Sequence, residues 1–149
     1  MSLQLSTRSR YGLRLMIALS MNYGQGITLM RDVSRNEDIS EKYLGQIIIP
    51  LKASGLVTSQ RGSHGGYSLA RDPKTITVKD VIEAIEGDIV PVPCTDESSE
   101  PCERVTMCAA ARVWKRLADE MRKCLAATTL ADLVKDSREC HDQVENYTI

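Results

Sequence analysis

No apolar run in the chain approaches the ~18–20 residues a helix needs to span a bilayer. The nearest, residues 13–21, is shorter and carries Ser20 inside it. A secretory leader is the rival reading of this N-terminus, but no small-residue cleavage site follows, so a cytoplasmic protein is expected. C-x-x-C pairs, a nucleotide-binding loop and a Ser/His/Asp set are all missing. Those absences argue against a thiol redox enzyme. No internal repeat is visible. The five cysteines come with no secretion signal, which argues against a disulfide framework.

What is present is an uneven distribution of charge. The net charge is only −1, yet up to Lys74 there are ten Lys/Arg against five Asp/Glu, and beyond it nine against fifteen. A basic half joined to an acidic half suits a polyanion-binding module with a separate second function. At 149 residues and 42% apolar content, the chain can bury a core as one compact domain or a small domain with an added dimerisation element.

Tyr11, Leu15, Ala18 and Leu19 share one face of a helix over residues 7–22, which Tyr23-Gly24-Gln25-Gly26 ends. Thr28 is positioned to cap a short second helix and Ser40 a third, whose inward stripe is Leu44, Ile47, Ile48 and Leu51. Pro50 removes a backbone donor and predicts a kink or an irregular last turn. Gly55 closes that helix, and strands at 56–60 and 67–70 flank the glycine-rich turn 61–66. A fourth helix is predicted over 75–86 with Gly87 as terminator, and residues 88–103 read as a loop with three prolines. A long helix over 103–127 carries Cys108, Ala111, Trp114, Leu117, Met121 and Cys124/Leu125 at helical spacing, with Cys124 turned inward. Thr129 and Asp132 suggest a capping box for a last helix over 130–135, followed by a frayed polar tail.

The fold class is therefore mainly α with a small β-hairpin: a winged helix-turn-helix plus a long C-terminal dimerisation helix. The divisions are 1–87 for DNA binding, 88–104 for a cysteine-bearing sensor loop, 105–136 for the dimerisation helix and final short helix, and 137–149 for a flexible tail. A recognition helix in the major groove would offer Ser40, Lys42, Tyr43 and Gln46 to bases or phosphates, with Gln46 suited to adenine. Thr28 joins them at the second helix, and Arg61, Ser63 and His64 sit on the hairpin tip, where glycines let backbone run close to DNA. Cys94, Cys102 and Cys108 are spaced C-x7-C-x5-C at the junction of loop and helix. That spacing leaves a metal or cluster site and unligated thiols equally open. Cys140-His141 is a further possible ligand pair.

Five segments carry a family resemblance: Arg10-Tyr11-Gly12-Leu13-Arg14, residues 39–44, Gly55-Leu56-Val57, the wing from Arg61-Gly62 to Gly65-Gly66-Tyr67, and residues 78–84. Together they resemble the Rrf-two type regulators, including their IscR-like and NsrR-like iron–sulfur sensors, across residues 3–135. The resemblance implies a homodimer on the long helix and two recognition helices on a pseudo-palindromic operator in double-stranded DNA. It also implies an iron–sulfur cluster, 2Fe–2S favoured over 4Fe–4S, held by Cys94, Cys102 and Cys108. The chain departs from the pattern at Ala111, where a histidine stands in IscR-like members, and at Arg10, where NsrR-like members have an aspartate. The fourth ligand is thus unidentified, with Asp96, Glu97, Glu103 or another cysteine as candidates. Gly45 stands where some relatives carry glutamate. A cluster-free regulator controlled by thiol oxidation or a protein partner is the alternative.

Overall fold

The computed structural model describes residues 5–96, 98, 100 and 102–146, the last six as backbone only. The order is α1 (Thr7–Met21), α2 (Met30–Glu37), α3 (Glu41–Ala53), β1 (Val57–Gln60), β2 (Gly66–Leu69), α4 (Val78–Glu86), α5 (Ala109–Ala126) and α6 (Leu130–Asn146). Among the described residues no helix is long and apolar enough to cross a membrane.

Helix α1 is the central post, touched by α2, α3, α4, α6 and β2. Gly12 is what lets the neighbours come so near: a Cβ there would stand 2.1 Å from Cδ1 of Ile85 on α4 and 3.3 Å from Cγ2 of Ile47 on α3. Leu15, Met16, Leu44, Ile47, Leu51, Leu56, Ile76 and Val81 fill one core, and Leu130 of α6 is buried in it too. A smaller cluster of Val78, Ile82 and Ile89 receives Met121 and Leu125 of α5. Helix α6 is also tied to the body by an antiparallel bridge, with Leu130 N–H donating to Ile76 O at 2.9 Å and Val78 N–H to Thr128 O at 2.9 Å.

The helix starts follow local capping chemistry. Ser40 Oγ accepts from Tyr43 N–H at the head of α3. Thr77 and Asp80 form a full capping box on α4, which therefore begins at Val78, after a separate 3-10 turn at Pro73–Thr75, instead of at residue 75. Thr129 and Asp132 exchange the same bonds at the head of α6.

Three expectations need correction. Thr28 does not cap α2; the N-cap is Leu29 and Thr28 is buried. It pairs its backbone with Tyr67, at 2.8 and 2.9 Å, and its hydroxyl accepts from Asn22 Nδ2, so a third short strand-like segment joins the hairpin. Helix α3 includes Pro50 and continues to Ala53, and the Gln46 carbonyl that Pro50 leaves without a helical partner receives Arg8 Nη2 at 3.4 Å. Helix α5 begins at Ala109 because residues 103–107 form successive turns closed onto Cys102 and Arg104 carbonyls. Helix α6 continues to Asn146; its polar composition resembles a tail, but no proline or glycine interrupts it.

The N-terminus of α1 meets the C-terminus of α4 through one carboxylate. Glu86 Oε1 accepts from Ser9 Oγ at 2.6 Å and from the hydroxyl of Ser6, the N-cap of α1. Hydroxyl donation by Ser6, then Ser9, holds the Glu86 carboxyl below its ordinary value of 4.5. A lowered folded value means the ionised group stabilises fully above the unfolded pKa, and that contribution fades as pH falls through the folded one. Glu86→Gln is expected to melt below the parent protein at neutral pH, with the gap narrowing as pH falls below the ordinary carboxylate range. Paired thermal melts across pH would show this, and a gap unchanged in acid would place the effect elsewhere.

Candidate nucleic-acid interface and thiol loop

The outward stripe of α3 is the side opposite Leu44, Ile47, Ile48 and Leu51, all buried. Lys42 and Gln46 lie exposed on it, one turn apart. Tyr43 is half-buried, its ring edge-on to Tyr11 at 5.9 Å. Arg14 in turn stands over Tyr11 at 5.6 Å and pairs with Glu37 at 2.8 Å. This chain of contacts, with Arg8 on the Gln46 carbonyl, holds α3 from behind while leaving its front open. Ser40 is exposed at the front edge; its oxygen caps the helix, and its own O–H remains a donor.

The hairpin pairs Val57 with Leu69 and Gln60 with Gly66. Its tip carries Arg61, Ser63 and His64, all exposed, with Ser63 Oγ 3.1 Å from His64 Nδ1. Between tip, α2 and α3 lies a groove of about 480 Å³ lined by Arg31, Lys52 and Arg61 together with Glu41. Arg31 and Lys52 were not singled out from sequence; only folding brings them beside Arg61. Thr28, by contrast, offers its hydroxyl to Asn22 inside the subunit and not to solvent.

The tip glycines are accounted for within the subunit. Gly62 has φ 113°, a region that side chains rarely adopt. A Cβ on Gly65 would lie 2.3 Å from Gln60 O, and one on Gly66 2.6 Å from Thr28 O. Gly45 on α3 is different: its φ is not in the left-handed region, and a Cβ there meets nothing within 4 Å. The fold would accept alanine at 45, and glycine there costs the helix about 1 kcal/mol. Four residues on, Ile49 is 64% exposed on the same outward stripe, a feature that apolar spacing alone does not reveal.

The three loop cysteines are only partly brought together. Cys94 and Cys102 are exposed and line a common cavity of about 320 Å³ against α5, with Arg112, Lys115 and Arg122 beside them and Asp119 opposite in charge. Cys108, half-buried, is the N-cap of α5 and is not part of that lining. Among the described residues no group of three or more His, Cys, Asp or Glu is placed to hold a metal ion. Glu97, considered as a further ligand, lies outside the described residues, as does the side chain of His141; Cys140 itself is on α6. Cys124 is exposed, not inward as the spacing suggested, because Ala118, Met121 and Leu125 set the side of α5 that meets the body. Val113 and Leu117 share the side of Cys124, and Val113 is 61% exposed with Trp114 beside it at 37%.

A protein-family model described as "Iron-dependent Transcriptional regulator", Rrf2, matches residues 5–136. The chain belongs to the Rrf2 family. It is 40% identical over 131 residues to the HTH-type transcriptional regulator CymR of Bacillus subtilis, covering 88% of this chain and 89% of that one. The solved structure titled as that organism's global cysteine regulator superposes with a TM-score of 0.73, over 90% of this chain and 98% of the other. Protein rrf2 of Nitratidesulfovibrio vulgaris is 38% identical, covering 93% and 91%. The structure of T. potens IscR, 34% identical, gives a TM-score of 0.72 over 92% and 90%. As an Rrf2 protein the chain is a DNA-binding transcription regulator and not an enzyme, and its six helices and antiparallel hairpin are the winged-helix architecture of these relatives.

Because Gly66 abuts the Thr28 carbonyl, the Rrf2 wing depends on that glycine for its seat on the body. Gly66→Ala is expected to destabilise the protein by about 1–3 kcal/mol, the range for overfilling a tight site. Urea unfolding would measure it, and an unchanged midpoint would mean the bridge relaxes at no cost.

Proposed function

We propose that this Rrf2 regulator binds a pseudo-palindromic duplex as a homodimer, each subunit placing α3 in a major groove and its hairpin tip on the neighbouring backbone or minor groove. The observation that carries the reading is the shared face of the exposed α3 stripe and the groove formed by Arg31, Lys52 and Arg61. In this arrangement Gln46 pairs with a base edge, adenine by its amide geometry, while Ser40, Lys42 and Tyr43 donate to phosphates or bases. Arg61, Ser63 and His64 hold the backbone beside the wing. The second subunit covers the flank of α5 that bears Val113, Trp114 and Cys124, which this subunit leaves exposed, together with half-buried Leu117.

The regulatory signal is assigned to the thiols of Cys94, Cys102 and Cys108. Sulfur is the right donor for an iron–sulfur cluster, and the family's description as iron-dependent suits one. As folded, however, the residues do not fit a cluster: two thiols share a cavity with Asp96, Cys108 is not in its lining, and among the described residues no three such groups are placed to hold a metal ion. The cavity's exposure makes Cys94 and Cys102 reachable by small thiol reagents in their own right.

Two outcomes test the reading. Gln46→Ala is expected to cost about 1–3 kcal/mol at a single base pair, whereas Arg61→Ala weakens all sequences and lowers the salt slope by about one charge. Titration of labelled duplexes at several salt concentrations separates them, and an operator affinity untouched by both changes would move the interface elsewhere. For the sensor, alkylation with iodoacetamide is expected to change operator affinity of the parent protein and not that of a variant with all three cysteines replaced by serine. Iron and sulfide analysis of anaerobically purified protein then names the carrier. Stoichiometric iron and sulfide would show that the loop rearranges to gather the three thiols; neither element would show thiols acting without metal.

A further inference from the structure

Four residues form the outward stripe of α3: Lys42, Gly45, Gln46 and Ile49, at i, i+3, i+4 and i+7. Helices that read the major groove along their length present residues to base edges at that spacing. Two of the four have no explanation inside the subunit. Ile49 is 64% exposed and contributes nothing to either apolar cluster, although its sequence neighbours Ile47 and Ile48 are buried. Gly45 has neither a left-handed backbone nor a close neighbour to require it, unlike Gly12, Gly62, Gly65 and Gly66. An exposed isoleucine and an unneeded glycine, one turn apart on one stripe, both answer to something outside the chain.

We propose that Ile49 reads the 5-methyl group of a thymine, and that the bare backbone at Gly45 lets α3 seat deeply enough in the groove for that contact. The chemistry leaves little choice of partner. Isoleucine has no donor or acceptor, and the thymine methyl is the apolar group displayed on the floor of the major groove. The helix end is also suitably held. Pro50 follows directly, and Arg8 occupies the carbonyl that Pro50 leaves open, so the turn bearing Ile49 is anchored to α1 from behind. Thymine specificity at this position would come from lost burial of one methyl group when cytosine or uracil replaces thymine.

The inference rests on the DNA-reading role of α3 and is tested so that the two can fail separately. The full-length protein is used to select tight-binding duplexes from a random library, and each thymine of a selected site is then replaced by deoxyuridine, which lacks only the methyl. One position per half-site is expected to lose affinity about fourfold, the size of one buried methyl(ene) group. Ile49→Ala should bind the thymine and deoxyuridine duplexes alike, while melting at the parent temperature because residue 49 is exposed. Gly45→Ala should bind the same site more weakly while melting no lower than the parent, a split that a purely structural role for Gly45 would not produce. If the selected site has no thymine whose methyl is felt by the parent protein and ignored by Ile49→Ala, the proposal falls and the interface stands. A library that enriches no sequence overturns the DNA-reading role of α3, and the Ile49 contact with it.

Discussion

The close seating of α1 against α3 and α4 at Gly12 is the constraint on which the rest of the molecule depends. Methyl groups of Ile85 and Ile47 occupy the space that a side chain at position 12 would need. With no side chain to hold them off, both helices reach the α1 backbone, and the core of Leu15, Leu44, Ile47 and Val81 closes around it. The direction in which α3 points its outer stripe follows from this contact. Arg8, Tyr11 and Arg14, all on α1, then brace α3 and its lead-in from behind. A reading helix has to be stiff on one side and bare on the other, and α1 supplies the stiffness.

The same post connects the interface to the thiols. Cys94 and Cys102 lie against α5, α5 packs Met121 and Leu125 on the Val78 and Ile82 side of α4, and α4 meets α1 at Ile85 and through Glu86. These contacts form one continuous body. Altered thiols can change DNA affinity only by favouring one of two arrangements of it, and the bound DNA must then favour the thiol state in return. The bridge between Thr77 and Thr129 adds a second tie, so α6 shares the core instead of trailing from it.

Helices α1 and α3, the hairpin and the caps at Ser40 and Thr129 could be read from the sequence because each depends on nearby residues. Apolar spacing, a hydroxyl three residues before an amide, and glycine where backbone must turn are all local physics. The readings that failed concerned partners far along the chain. Thr28 has the form of a cap residue, but Tyr67 claims its backbone. Cys124 belongs to an apolar repeat, but Ala118 had already set which side of α5 faces the body. At the tip, Gln60 and Thr28 carbonyls add a packing requirement within the subunit for two of the glycines.

The amino-acid order alone determined that a basic, helix-rich N-terminal half with a glycine-tipped hairpin precedes an acidic half bearing three spaced thiols. Tertiary structure decided which of those features meet. It placed Arg31 and Lys52 beside Arg61, kept Cys108 out of the cavity lined by Cys94 and Cys102, and left Ile49 facing outward while its neighbours were buried. The reason is the range of the forces involved. Capping and helical period act over a few residues, but the choice of which surfaces face each other is settled only when the whole apolar surface competes for one interior.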